Sequence, residues 1–275
     1  MSILSEDIQL LSRPTPENQP SLALAATLYL PDTLSTNLAN ASAATRENNT
    51  SNTKTSLDAN KLPGLIVCHG AGSKRSNHTE FSHTACESGF VVLNIDLRGH
   101  GDSSGMADGP LELDICAAVD FLRAHPAVDA EKICYRGSSM GGFYGLKAAE
   151  LVDFAALVLV CPASDTILRD TINGYQDEDS SAPTDPPPRW DIPALKKYFL
   201  DQDYSTIASF VKCPTLITHV RTDEVVPFAH SLELTQNLMV ETTLIALAVG
   251  THSTAQHDSS IHRRTLSWLH EQLDN

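Results

Sequence analysis

Apolar residues in this chain gather into short unbroken runs separated by stretches of helical spacing. The runs are LIVCH at Leu65–His69, FVVLNID at Phe90–Asp96, KICYR at Lys132–Arg136, FAALVLVC at Phe154–Cys161, PTLITHV at Pro214–Val220 and TLIALAV at Thr243–Val249. A short run that is apolar at nearly every position, rather than at every second one, reads as a strand buried on both faces of a parallel sheet. Between the runs lie helix-compatible stretches: Asn77–Ser88, Leu111–Ala124, Gly142–Val152, Phe228–Met239 and Ser260–Leu273. In the second of these, Leu111, Ile115, Ala118, Val119 and Leu122 share one helical face. Two earlier strands, Ile8–Leu11 and Ser21–Leu30, are joined through Pro14, Pro16 and Pro20. Alternating buried strands and helices predict an α/β fold with helices on both sides of the sheet. In such sheets the reactive loops lie beyond the carboxyl ends of the strands.

Two segments depart from this rhythm. Thr33–Lys61 has no aromatic residue and is dominated by Ser, Thr, Asn and Ala. It cannot bury enough apolar surface to offset its ordering entropy, so a disordered insertion is expected at 33–61, not a domain boundary. The second segment, Pro162 to Phe210, holds Pro183, Pro186, Pro187, Pro188 and Pro193, with a short helical piece at Ala194–Leu200. Between Asp170 and Asp203 it carries eight acidic residues against Arg189, Lys196 and Lys197. Most of those charges read as solvated surface. Trp190, Ile192, Leu195, Tyr198 and Phe199 read either as pocket lining or as core. The 275 residues are expected to form a single domain, 1–275, interrupted by these two segments.

Composition narrows the partners. A net charge of −15 and a pI near 5.0 argue against nucleic acid or an anionic membrane. No run of 18 apolar residues occurs, and MSILSEDIQLLSRPTPENQ lacks a basic flank before an apolar core, so neither a transmembrane helix nor a signal peptide is expected. The six cysteines show no C-x-x-C spacing. They read as buried thiols in a cytoplasmic protein, without disulfides, metal or cofactor.

The candidate chemistry centres on Gly137-Ser138-Ser139-Met140-Gly141, set between a strand and a helix. A G-x-S-x-G turn at that corner lifts the second serine out of the sheet and points the following N–H at charge that develops on a substrate. Ser139, not Ser138, is the candidate nucleophile, and Met140 N–H a candidate oxyanion donor. A serine hydroxyl needs a base, and the base an orienting acid. His252 directly follows the last strand in Val249-Gly250-Thr251-His252, whereas His257 and His262 fall at or inside the final helix, where they read as solvated. His100 precedes the serine and His230 is expected within a helix. For the acid, Asp223 lies three residues past the Pro214–Val220 strand; Glu224 and Asp165 are the alternatives. The loop His69-Gly70-Ala71-Gly72 offers the Ala71 N–H as second oxyanion donor. It lacks the glycine spacings of phosphate-binding loops.

Taken together, His69-Gly70-Ala71, Asp96-Leu97-Arg98-Gly99-His100-Gly101-Asp102-Ser103, Gly137-Ser138-Ser139-Met140-Gly141-Gly142, Asp223-x-x-Val226-Pro227 and Gly250-x-His252 resemble the α/β-hydrolase superfamily. Within it they resemble the serine esterase/acylaminopeptidase and dienelactone-hydrolase-like branch, over roughly residues 62–273. The resemblance implies an eight-stranded, mostly parallel sheet whose second strand is antiparallel, with 162–210 as a cap. It places 33–61 at the amino end of a parallel strand, opposite the reactive loops. Position 139 is serine, not the cysteine of true dienelactone hydrolases or the aspartate of dehalogenases. The activity implied is hydrolysis of a small-molecule carboxylic ester through an acyl-enzyme. The same residues would also serve amide or thioester cleavage, and a non-catalytic binding protein on this fold is the remaining alternative. Acyl preference and oligomeric state are not written in the sequence.

Overall fold

The computed structural model describes residues 3–15, 20–32, 61–174 and 186–274. The described residues form one eight-stranded sheet. Its strands are β1 (Ile3–Leu11), β2 (Ala23–Pro31), β3 (Leu62–Cys68), β4 (Val91–Ile95), β5 (Val128–Ser138), β6 (Ala156–Val160), β7 (Thr215–Val220) and β8 (Thr242–Leu247). Their spatial order is β1-β2-β4-β3-β5-β6-β7-β8. β2 pairs antiparallel with both β1 and β4, and every other pairing is parallel. This is the α/β-hydrolase sheet, including its antiparallel second strand.

Alternation along each strand sends successive side chains into two separate cores. Ile66, Leu93, Tyr135, Leu159 and Ile217 pack beneath α2 (Glu112–Ala124), α3 (Met140–Ala148) and α7 (Phe228–Asn237). Leu65, Val67, Val92, Val158 and Leu216 face the opposite way, under α1 (Thr79–Glu87) and α9 (Ser259–Leu273). Because both faces are covered, the apolar runs are nearly continuous. β1 and β5 extend beyond the expected spans, and α3 starts at Met140 rather than Gly142.

Between β6 and β7 the chain forms α4 (Asp165–Gly174), α5 (Ile192–Phe199) and α6 (Tyr204–Ala208). Only α5 was expected. Asp191 caps it by accepting from Ala194 N–H at 3.0 Å, and Pro193 sits in its first turn, where a missing N–H costs nothing. Leu195 and Phe199 enter the core, and the Phe199 ring packs at a tilt against Phe143 of α3, 5.4 Å between centroids. The expected insertion at 33–61 lies, but for Lys61, outside the described residues. Its flanks, Pro31 and Leu62, end β2 and begin β3 at the amino-terminal edge of the parallel strands. All six cysteines are free and buried.

The loop after β4 is held by buried charge. Arg98 Nη2 and Nε reach Asp114 Oδ1 at 2.6 and 3.0 Å, and both side chains are buried. Asp96, also buried, accepts from Arg75 N–H at 2.6 Å and Asp102 N–H at 3.0 Å, and pairs with the Arg75 guanidinium. The Asp96–Ser103 motif therefore fixes a loop at the carboxyl edge of the sheet.

Candidate active site

Ser139 stands at the junction of β5 and α3 with φ 52° and ψ −116°. A non-glycine residue at positive φ is strained, by about 1–3 kcal/mol, and persists only where its surroundings enforce it. Here Ser139 N–H donates to Val160 O at 2.8 Å, while Ser139 O accepts from Gly142 N–H at 2.9 Å and Ala163 N–H at 3.1 Å. Gly141 is required by proximity: a Cβ there would lie 2.5 Å from His69 O. Ser138, by contrast, is wholly buried inside the strand end. Ser139 is only half-buried, as the elbow geometry demands.

The ends of β7 and β8 bring the acid and base candidates together. Asp223 follows β7 and His252 follows β8, and His252 Nδ1 lies 2.7 Å from Asp223 Oδ2. The Asp223 side chain is buried, whereas that of His252 is 16% exposed. Asp223 Oδ1 accepts from the N–H groups of Val225 and Val226, both at 2.9 Å. Burial opposes ionisation of this carboxyl, but hydrogen bonds from His219, His252 and the two backbone amides outweigh it and hold the group well below the usual carboxylate range. The two loops are also tied directly: Thr222 Oγ1 donates to Gly250 O at 2.8 Å and accepts from Gly250 N–H at 3.1 Å.

Two further residues complete this cluster, both in apolar runs that carry no mark of chemistry in the sequence. His219, buried within β7, places Nε2 3.0 Å from Val226 O and 3.3 Å from Asp223 Oδ2. Two acceptors at one nitrogen assign the proton to Nε2. Nδ1 then accepts from Ser231 Oγ at 2.6 Å. Cys161, just past β6, has φ 45° and is fully buried. Its sulfur, an Asp223 carboxylate oxygen and a His252 ring nitrogen all lie within 4.8 Å of one another. Burial pushes the Cys161 thiol up to about 12, and the negative charge of neighbouring Asp223 adds to the effect. Because Ser139 is bonded to Val160, the residue before Cys161, the elbow and the Asp223–His252 pair are neighbours across adjacent strand ends.

The loop after β3 borders the elbow. A Cβ on Gly70 would lie 3.0 Å from Ser139 Cβ and 3.7 Å from Ser139 Oγ. Ala71, next in sequence, is exposed. Met140 is the first residue of α3, so its N–H has no partner within the helix. His69 fixes the loop from inside: its Nε2 accepts from Leu97 N–H at 3.1 Å, which leaves Nδ1–H to donate to Gly70 O at 2.7 Å.

The other candidates are engaged elsewhere. Asp165 opens α4, where its carboxylate pairs with Arg169 at 2.6 Å and accepts from Tyr204 N–H at 3.3 Å. Glu224 is exposed. His100 is buried, with Trp190 edge-on at 4.7 Å between ring centres, and His230 lies in the first turn of α7. His257 is exposed at the end of α8 (Thr254–His257). The expectation of a solvated His262 is corrected: it is 2% exposed and lies on the inward face of α9 with Ile261, Thr265 and Leu266. Its Nε2–H donates to Gln256 O at 2.8 Å.

A cavity of about 470 Å³ is lined by Asp108, Glu112, Asp191, Lys197, Tyr198 and Asp201, and by none of Ser139, Asp223 and His252. Asp108 and Glu112 follow β4, and the others follow β6, so it lies on the carboxyl edge of the sheet. Burial pushes the Glu112 carboxyl up to about 7, against a hydrogen bond from Tyr198 Oη at 2.9 Å.

The sheet order and the strand-to-helix corner define an α/β hydrolase. Solved structures share this architecture: the α/β hydrolase GrgF from Penicillium sp. sh18 superposes with a TM-score of 0.72 at 17% identity, covering 99% of this chain and 100% of that one. Est1E from Butyrivibrio proteoclasticus, solved with ferulic acid bound, gives 0.70 at 20% identity, covering 92% of this chain and 97% of that one. Over residues 77–275 the chain matches the Prolyl oligopeptidase family, and it belongs to that family. Among curated relatives, the alpha/beta hydrolase domain-containing protein aho-3 of Caenorhabditis elegans is 28% identical over 178 residues. That match takes in 62% of this chain and 46% of the nematode protein, so it spans less than half the relative's length. No helix among the described residues is long and apolar enough to cross a membrane.

Proposed function

We propose that this chain is a serine hydrolase that cleaves small carboxylic esters through an acyl-enzyme. The observation that carries the reading is a strained, half-buried Ser139 at the strand–helix corner, bonded to Val160, next to whose neighbour Cys161 the Asp223–His252 pair closes at 2.7 Å. Ser139 Oγ attacks the carbonyl as its proton passes to His252 Nε2. Asp223 holds Nδ1–H and balances the imidazolium that forms. The Ala71 and Met140 N–H groups take the oxyanion, each worth on the order of 3 kcal/mol in the transition state. His252 then protonates the leaving alcohol, and water releases the acid by the reverse sequence. No step calls for a cofactor.

Ester rather than amide is the reading for the reacting bond. The family's name supports the second reading, a peptidase with the same residues. For the substrate's charge, Asp191 and Asp201 outnumber Lys197 around the cavity on the carboxyl edge, while Asp108 is paired with Arg98 and Glu112, raised to about 7, adds negative charge only as it ionises. A field of that sign repels anions, and salt weakens the repulsion. Arg189 is tied to Ser103 O and Gly105 O in the loop after β4, and it does not line the cavity.

A panel of p-nitrophenyl esters of rising acyl length, run beside matched anilides, thioesters and peptides, tests both points. Short neutral esters should give the highest kcat/KM, and esters bearing a free carboxylate should be poorer at low salt. Anilide or peptide turnover above that of the matched ester would assign the chain to the second reading. A carboxylate ester that outruns its neutral isostere at low salt would reverse the charge argument.

A further inference from the structure

Two described non-glycine residues have φ in the left-handed region, Ser139 at 52° and Cys161 at 45°. They follow the ends of the adjacent strands β5 and β6. The strain at Ser139 serves the elbow. At Cys161 a glycine would relieve it, yet the position carries a buried thiol whose sulfur lies within 4.8 Å of an Asp223 carboxylate oxygen. The result is a cluster of three different donor atoms, a cysteine sulfur, a carboxylate oxygen and an imidazole nitrogen, within 4.8 Å of one another.

That donor set suits a soft divalent cation. Bonds of about 2.3 Å to sulfur and about 2.0 Å to nitrogen and oxygen put tetrahedral ligand atoms roughly 3.5 Å apart. The sulfur would have to draw closer, and the 2.7 Å pair of His252 Nδ1 and Asp223 Oδ2 would have to open by about 0.6–0.8 Å. Both are side-chain adjustments. A thiolate and a carboxylate together neutralise a dication, so the loaded cluster carries no net charge. His252 is the partly exposed member of the three, which gives the cation a route in.

We propose that Cys161, Asp223 and His252 form an inhibitory binding site for a soft divalent cation of the zinc class, which replaces the proton between His252 and Asp223. The balance is one proton released per cation. Cys161 gives up its S–H proton to solvent, and the His252 proton moves from Nδ1 to Nε2 as Nδ1 binds the metal. Nothing is oxidised or reduced. The consequence for catalysis rests on the function proposed above: an Nε2 that already carries a proton cannot accept the one on Ser139, so the loaded enzyme has no base.

Cobalt(II) reports thiolate ligation through a sulfur-to-metal charge-transfer band in the near ultraviolet, independently of turnover. The full chain, first treated with chelator and dialysed, should bind Co²⁺ with that band and release one proton per cation to a pH indicator. Zn²⁺ should displace the cobalt and arrest ester hydrolysis. In Cys161→Gly, which suits the φ of 45° and so keeps the backbone, the band should vanish. There the Zn²⁺ concentration that halves each variant's own metal-free rate should rise by about tenfold or more. Cys161→Ser should behave likewise. A wild-type chain without the band, a band that survives both substitutions, or equal zinc sensitivity in Cys161→Gly would overturn the proposal. A thiolate band in a chain that hydrolyses no ester would support the cation site and count against the proposed function instead.

Discussion

His252 Nδ1 meets Asp223 Oδ2 at 2.7 Å, while Val225 N–H, Val226 N–H and His219 Nε2 close on the same carboxylate at 2.9, 2.9 and 3.3 Å. Four donors on one buried carboxylate keep it ionised, and one of them is the imidazole proposed as base. Asp223→Asn presents an NH₂ where His252 requires an acceptor, so the ring loses its working tautomer. Turnover should fall on the order of 10⁴-fold with KM little changed. Asp165→Asn should change kcat/KM only a few-fold, because that carboxylate is committed to Arg169 and Tyr204. Steady-state kinetics on both variants decide the matter; the opposite ranking would move the acid to the end of β6.

Much of this was legible beforehand because burial on both faces writes strands as unbroken apolar runs, and because the elbow needs small residues at fixed offsets. Ser139, Asp223 and His252 could be picked out by their places after strand ends. His219 and Cys161 could not, since each sits in or beside an apolar strand and its part depends on a neighbour brought in by the sheet. α4 and α6 were missed among prolines and acids, where a short helix forms by packing rather than by periodicity. His262 did have a signal: it stands at helical spacing from Leu266 and Leu269, all three facing inward on α9.

The Arg98–Asp114 pair carries a stability prediction. Both groups are buried, with Nη2–Oδ1 at 2.6 Å. Removing Asp114 leaves the buried Arg98 charged, with only the longer 3.4 Å contact to Asp108 to balance it. Asp114→Ala should therefore lower the free energy of unfolding by about 3–5 kcal/mol in equilibrium urea denaturation. Replacing both by apolar residues, as in Arg98→Met with Asp114→Leu, should recover most of that loss. A single variant as stable as the wild type would mean that water reaches the pair.

Buried histidines give a pH dependence of definite sign. Burial holds His78 well below its ordinary value and His100 down at about 3, in each case reinforced by neighbouring positive groups. The unfolded chain binds protons at these rings near pH 6.5, while the folded chain refuses them. Their contribution to stability is thus complete above about 6.5 and is lost as the pH falls toward the folded values. Each such ring contributes about 1.4 kcal/mol per pH unit within that window. Glu112, raised to about 7, works in the opposite sense between the ordinary glutamate value and 7. The test is therefore a difference: the slope of unfolding free energy from pH 6 to 4 should be shallower in His100→Asn than in the wild type. Parallel slopes would show that His100 protonates freely in the folded state.

The central claim is that Ser139 is the nucleophile, and active-site labelling tests it most directly. A fluorophosphonate probe should add once per chain, and peptide mapping should place the adduct on Ser139. Ser138→Ala should still be labelled, because Ser138 is sealed within the end of β5. Ser139→Ala should take up no label while its circular dichroism and melting match the wild type. An adduct that persists in folded Ser139→Ala, or that maps to any other residue, would contradict the account.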